Sequence, residues 1–298
     1  MKKQSVFLTA LAVILFTSCE KEVIKEIEIE KTVYVNEDFD PEKSVVNLTF
    51  NHQINNTTLE LGKNYTDDAG NTYAFDEIRY WVSNVTLIKP TGEAVAIPNS
   101  YYLVEKREAL YFHGVNASNS EAHVAPAKTR ESVLIGNVPT GEYSKIKFAI
   151  GVDPTYNDNF AITAGELNIN QMSQVASWAW NTSYIFFRTK GTFLPKGGTI
   201  ADALNFVTET GGNNLYREVE LTLPSKISAT AGSTNEISLS VNVLSTLKGL
   251  NVAEFTGQKA AGWSADPNLA KYTKFVNAST VDDMTTISDN VKAAIQLK

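Results

Sequence analysis

Seven segments of the chain are rich in β-branched and aromatic residues, and several alternate apolar and polar side chains with a period of two. Turn sequences separate them, among them Asp68–Asn71, Pro139–Gly141 and Gly211–Asn214. Short strands with one apolar face are buried efficiently when two sheets pack together. The sequence therefore predicts an all-β fold, an antiparallel β-sandwich, over residues 44–298. The segments are Val46–Phe50, Arg79–Ile88, Tyr101–Glu105, Lys145–Val152, Tyr184–Lys190, Arg217–Leu223 and Glu236–Val243.

Helical signals are sparse. The two best candidates are Val243–Leu250 and a short C-terminal helix over Ser288–Leu297. Neither GxxxxGK[ST] nor GxGxxG occurs in the sequence, so the glycine-rich phosphate loops of nucleotide-binding proteins are not predicted. No repeat with a fixed period is visible.

The first residues are typical of a secretory signal. Lys2 and Lys3 precede an apolar stretch from Val6 to Phe16, which is shorter than the roughly 20 residues that span a bilayer. Small residues follow directly before Cys19, the single cysteine, and this arrangement resembles the lipobox of bacterial lipoproteins. We therefore expect residues 1–18 to be a lipoprotein signal peptide and Cys19 to be acylated. Its lipid chains would anchor the protein to a membrane that it does not span.

Residues 19–43 are predicted to be an acidic tether that follows the lipidated cysteine. Positions 20–43 contain nine acidic and four basic side chains. Such a charge-dense segment is typical of an extended spacer, although the alternation Glu26–Glu30 also fits a short edge strand or a helical stub. Acidic residues after the cysteine resemble the surface-export signal of Bacteroidetes lipoproteins. The expected location is the outer membrane, on its periplasmic or its external side.

The charge and the cysteine content exclude several classes of protein. A formal net charge of -7 argues against binding to nucleic acid, which requires a cationic face. One cysteine cannot form an intrachain disulfide, and once it carries lipid no thiolate remains to bind a metal. Any metal would have to be held by histidine, carboxylate or a modified tryptophan.

The polar residues do not indicate catalysis. The three histidines, His52, His113 and His123, lie on separate segments, and no GxSxG nucleophile motif occurs. The paired carboxylates Asp67–Asp68 and Asp282–Asp283 stand where turns or helix caps are expected. We therefore do not expect the protein to be an enzyme.

Several ordered motifs follow one another in the middle of the chain. They comprise FDEIRYWVSNVTL at 75–87, YYLVE at 101–105, IGNVPTGEY at 135–143, FAIGVD at 148–153 and WAWNTSYIFFR at 178–188, preceded by Met172 and followed by Gly191. This succession resembles the MbnP-like family of secreted and lipid-anchored bacterial proteins, here in a lipid-anchored form similar to those of Bacteroidetes. The resemblance extends from about Asn47 to the end, where Ile287–Asn290 resembles the closing helical segment of the family.

The resemblance implies a Greek-key-like β-sandwich and a copper-binding role in capture or delivery. In characterised members, histidine and a tryptophan oxidised to kynurenine by a diheme partner hold the metal, and imidazole suits copper. A diheme peroxidase-like maturation partner or an uptake receptor is therefore the expected partner protein, alongside the membrane reached through the lipid anchor.

The site residues transfer only in part. His52 stands where family members place an early histidine, and it is the best metal-ligand candidate. Glu209 occupies the position of the histidine in the HiGG motif of many relatives, and Ser183 stands where the family pattern has glycine. Trp178 and Trp180 would point to the same face of a strand, where they either pack in the core or line the site as modified residues.

Two hypotheses of different class follow. The first is a copper-binding envelope lipoprotein. The second is a metal-free surface module whose loops bind a glycan, a peptide or a partner protein, because the fold alone does not dictate the ligand.

Overall fold

The computed structural model describes residues 39–112, 123–169, 172, 183–258 and 274–298. The leader, Cys19, most of the tether, His113, Trp178 and Trp180 lie outside these residues. The strands within them are β1 (Ser44–Ile54), β2 (Thr57–Thr58), β3 (Asn64–Thr66), β4 (Thr72–Ile88), β5 (Ala94–Ala96), β6 (Tyr101–Arg107), β7 (Leu110–Phe112), β8 (His123–Ala125), β9 (Lys128–Arg130), β10 (Ser132–Val138), β11 (Gly141–Ile150), β12 (Ile185–Leu194), β13 (Leu204–Gly211), β14 (Arg217–Ala229), β15 (Thr234–Asn242), β16 (Gly257–Gln258), β17 (Lys274–Asn277) and β18 (Ile295–Leu297).

Two sheets contain most of these strands. The smaller sheet has the order β10-β1-β15-β18, with β2 paired to β1. The larger sheet has the order β14-β11-β4-β12-β13-β17-β16, and β3, β5, β6 and β9 extend it through β4 and β6. Strands β7 and β8 form a separate pair. The predicted β-sandwich is confirmed, and each of the seven predicted segments overlaps a strand.

Among the strands of the described residues, the pairing is antiparallel except at two places. Strand β1 runs parallel to β15, and β13 runs parallel to β17. Strand β1 is the first described strand and β15 comes almost 200 residues later, so their pairing joins distant parts of the chain. The sheets are therefore mixed, a detail that strand periodicity does not reveal.

The main core lies between the two sheets. Inward residues of β1 such as Leu48 and Phe50 pack in one cluster with Tyr80 of β4 and Phe148 of β11. The rings of Phe50 and Tyr80 meet edge to face with their centroids 5.7 Å apart. Strand β1 alternates strictly between buried and half-buried residues, as expected for a strand with one face in the core and one toward solvent.

Strand β4 has both faces buried over most of its length. Ile78, Tyr80 and Val82 belong to the main core, whereas Trp81 belongs to a second apolar cluster on the opposite, outer face of the larger sheet. Members of that cluster include Leu103, Val152, Leu167, Met172, Tyr184 and Phe186. The segment that follows β11 therefore covers part of the outer face.

The C-terminal helix is present, with different bounds from those predicted. Helix α2 spans Val281–Ala294, and Ile295–Leu297 forms β18. Thr280 caps the helix by accepting a hydrogen bond from the backbone of Asp283, and Asp282 and Asp283 lie in its first turn, where carboxylates are favoured. The only other α-helix of the described residues is the single turn α1 (Pro154–Asn157). The helix predicted over Val243–Leu250 is a short 3-10 turn at Leu244–Leu247.

No helix among the described residues is both long enough and apolar enough to cross a membrane.

Candidate functional site

His52 is buried between the two sheets. It lies near the end of β1, and its side chain is 0% exposed. Its Nδ1 is 2.7 Å from Glu131 Oε1, and its Nε2 is 3.0 Å from the hydroxyl of Tyr80. Because Glu131 precedes β10 and Tyr80 belongs to β4, this one imidazole connects the smaller sheet to the larger one.

The surroundings assign one neutral tautomer to His52. Burial lowers the pKa of the imidazole below its usual value, and the hydrogen bond to Glu131 offsets this only in part. Burial would raise the pKa of Glu131, but the hydrogen bond from His52 and the charge of Lys106 outweigh it and lower that pKa. A charged carboxylate accepts only, so Nδ1 carries the proton and donates to Glu131. Nε2 then accepts from the Tyr80 hydroxyl.

Glu209 does not face His52. It lies on β13 directly opposite Arg188 of β12, and Arg188 Nη1 donates to Glu209 Oε1 over 2.6 Å. Its side chain is 12% exposed. The structure therefore brings neither Glu209 nor the described side chains around it to the imidazole of His52.

The outer face of the larger sheet bears two cross-strand rows of charged residues, here called the ionic ladder. Strand pairing places the first row across β9, β6, β4, β12 and β13, and the second across β9, β6, β4 and β12. The first row is Arg130, Glu105, Arg79, Arg188 and Glu209, and the second is Lys128, Arg107, Glu77 and Lys190. Six of these nine side chains are cationic and three are carboxylates. In a chain of net charge -7, this face is locally cationic.

The centre of the ionic ladder is almost free of solvent. Glu77, Arg79 and Arg188 are each 1–2% exposed. Glu77 Oε1 lies 3.4 Å from Arg79 Nη1 and 3.2 Å from Arg188 Nε. Burial would raise the pKa of Glu77, but Arg188, Arg79 and Lys190 together lower it, so this carboxylate is ionised.

One end of the ladder is closed by further ion pairs. Glu105 binds Arg79 at 3.2 Å, Arg107 at 3.1 Å and Lys128 at 2.6 Å. Arg130 forms a two-point pair with Glu166, in which Nη2 donates to Oε1 over 2.6 Å. Fork-to-fork pairs of this kind fix orientation as well as charge.

The described residues do not provide a metal site. No group of three or more His, Cys, Asp or Glu side chains in the described ranges has the geometry to hold an ion. Both nitrogens of His52 are engaged in hydrogen bonds, and Glu209 is paired with Arg188. A copper ion at either residue would have to replace these bonds, so the two candidates taken from the sequence do not fit the metal.

A sequence profile of the MbnP family matches residues 43–262, which is well over half of the chain. The chain belongs to the MbnP family. The family assignment made from the ordered motifs is thus confirmed. A search of solved structures finds MbnP from Methylosinus trichosporium, with 14% sequence identity over 74% of this chain and 82% of that chain, and a TM-score of 0.43. No curated protein matches.

Sequence reasoning missed the ionic ladder and the partners of His52. The sequence does carry a signal for the ladder, because three pairs of charged residues stand two positions apart: Glu77 and Arg79, Glu105 and Arg107, and Arg188 and Lys190. Charged residues at every second position lie on one face of a strand, and such a face is ordinarily expected to contact solvent. Here other parts of the chain cover that face. Nothing in the sequence connects His52 to Glu131, which lies 79 residues away.

Proposed function

We propose that this MbnP-family protein is a lipid-anchored binding protein of the outer membrane that captures or delivers a ligand and catalyses no reaction. The observation that carries the proposal is the buried ionic ladder beside Trp81, on the strands that bear the family motifs. Charged groups are costly to bury, so a sheet face of this kind is more easily understood as a binding face than as packing alone. The geometry therefore favours the metal-free binding module.

Copper is the second candidate ligand, and membership in the MbnP family favours it. His52 and Glu209 do not fit a copper site in this structure, so copper capture would depend on donors other than these two. A diheme peroxidase-like maturation enzyme or an uptake receptor would be the protein partner in that case.

Copper titration of the purified lipoprotein in detergent distinguishes the two candidates. We expect no binding at micromolar copper, and His52→Leu and Glu209→Gln should give the same titration as the unsubstituted chain. Copper binding that is abolished by His52→Leu without loss of folding would establish the copper candidate and overturn the metal-free one. Mass spectrometry for oxidised tryptophan at Trp178 or Trp180 tests the maturation step separately.

The anchor is tested at Cys19. The unsubstituted protein should fractionate with the outer membrane and incorporate radiolabelled palmitate, whereas Cys19→Ala should lose both properties. Protease added to intact cells should cleave the protein if it faces outward and should leave it intact if it faces the periplasm. Incorporation of palmitate by Cys19→Ala would refute lipidation at this residue.

A further inference from the structure

The last residues before β1 lie against the rest of the domain. They are residues 39–43, here called the strap. A Cβ added to Gly136 of β10 would lie 2.1 Å from Cε1 of the Phe39 ring, so this half-buried ring rests directly on the glycine. Gly136 does not have the positive φ that favours glycine. The Phe39 ring, and not the backbone conformation, therefore excludes a side chain at this position.

Hydrogen bonds hold the strap at two further points. The Asp40 N–H donates to Asn137 Oδ1 of β10 over 2.8 Å, and the Gly232 N–H donates to the Lys43 carbonyl over 2.8 Å. Between these points the Asp40 carboxylate accepts from the Glu42 N–H over 2.9 Å, which closes a turn. The strap is thus joined to β10 on one side and to the connection between β14 and β15 on the other.

The strap precedes the strand on which the smaller sheet is built. Strand β1 lies between β10 and β15, and its first residue, Ser44, is fully buried and donates from Oγ to the Ser233 carbonyl over 2.9 Å. The ends of a folded segment fray unless other parts of the chain tie them down. Residues 1–38 come before the strap, so a force on them reaches the strap before it reaches β1.

We propose that the strap is a fastening that isolates β1 from the chain that precedes it, with Gly136 as the surface on which the Phe39 ring docks. Phe39 contributes apolar contact, and the hydrogen bonds to Asn137 and from Gly232 fix the direction of the strap. On this proposal the spacer ends before Phe39, and residues 39–43 belong to the folded domain. The proposal does not depend on which ligand the protein binds.

The first test is digestion of the purified full-length protein in detergent with chymotrypsin, with the products identified by mass spectrometry. Chymotrypsin cleaves after aromatic residues, and a docked strap should protect the Phe39–Asp40 bond. Gly136→Ala forces the ring off the glycine and should speed cleavage of this bond by about tenfold or more, because cleavage follows the population of the open strap. Cleavage after the exposed Phe160 is the internal reference and should keep its rate.

A second variant tests the hydrogen bond from Asp40. Asn137 has a φ of 57°, which glycine also adopts without strain. Asn137→Gly therefore keeps the backbone and removes only the acceptor, and it should speed cleavage of the Phe39–Asp40 bond by about threefold to tenfold. In both variants hydrogen exchange in β1 should accelerate as well, whereas exchange in β4 should stay unchanged.

The double variant separates docking of the ring from a local effect of alanine. Phe39→Ala removes the ring and should lower the Tm by about 2–6 °C. In that background an alanine at position 136 meets no ring and stiffens the unfolded chain, so the Tm should stay unchanged or rise by about 1–3 °C. In the original chain Gly136→Ala should lower the Tm.

Two results would overturn the inference. One is that the Phe39–Asp40 bond is cleaved equally fast in the original chain and in Gly136→Ala. The other is that Gly136→Ala lowers the Tm by the same amount whether Phe39 is present or replaced. Either result would mean that the Phe39 ring does not fasten the start of β1 through Gly136.

Discussion

Replacing His52 by leucine tests whether this residue is a structural link between the sheets. Leucine fills a similar volume and can form neither of the two side-chain hydrogen bonds. The substitution leaves the Tyr80 hydroxyl fully buried without a partner and deprives the Glu131 carboxylate of its 2.7 Å donor. Glu131 keeps a contact with Lys106 at 3.6 Å and is 22% exposed, so Lys106 and water replace part of the stabilisation that its charge loses with the His52 hydrogen bond.

The magnitude follows from the two bonds. A neutral hydrogen bond contributes about 1 kcal/mol and one to a charged group about 1.5–3 kcal/mol, so the free energy of unfolding should fall by about 3 kcal/mol. The Tm should then fall by about 6–12 °C. The assay is urea unfolding followed by tryptophan fluorescence, with an unchanged m-value as the sign that the unfolded state is the same.

Tyr80→Phe supplies the matched control, because it removes only the hydroxyl and should cost about 1 kcal/mol. In the double variant the leucine no longer leaves a hydroxyl unpaired. Its loss of unfolding free energy should therefore be smaller, by about 1 kcal/mol, than the sum of the losses in the two single variants. Strict additivity, or a His52→Leu protein as stable as the original, would refute the structural link.

Four further outcomes are expected. The folded-state pKa of His52 lies below its usual 6.5, so the stability that depends on its neutral form is fully present above about pH 6.5 and is lost as the pH falls through the folded pKa. Urea unfolding at a series of acid pH values should show this loss in the original chain and not in His52→Leu. Glu209→Gln weakens the partner of buried Arg188 and should lower the unfolding free energy by about 2 kcal/mol, measured in urea. Gly191→Ala would place a Cβ 2.1 Å from a backbone oxygen of β4 and should cost about 3 kcal/mol, with a Tm that falls accordingly. Cys19→Ala should release the protein from the outer-membrane fraction.

Much of the fold could be predicted because strand formation is local. The alternation in Val46–Phe50 depends on residues that are neighbours in sequence, and the structure places it in β1 with that pattern of burial. The parallel pairing of β1 with β15 could not be predicted, because hydrogen bonds between strands form through backbone groups that all residues share. The bounds of α2 were wrong for a related reason: the polar first turn at Asp282 and Asp283 weakens the apolar signal that marks a helix.

The candidate site shows the same division. His52 was recognised as a notable residue, and its family position was consistent with a ligand. The pairing of β1 with β10 brings Glu131 to 2.7 Å from its imidazole, and the packing of one sheet on the other brings the Tyr80 hydroxyl to 3.0 Å. Glu209 was read as a substitute ligand, whereas the register of β12 and β13 pairs it with Arg188.

The sequence by itself determined the β-rich class, the family and the absence of any thiolate other than Cys19, because these depend on residue types, their spacing and the order of the motifs. Tertiary structure decided which face of β4 and β12 is covered and which charges meet there. A period-two run of charges looks the same whether water or protein lies above it. Only the folded chain determines the surroundings that turn Arg79 and Arg188 from solvated surface residues into members of a buried ionic network.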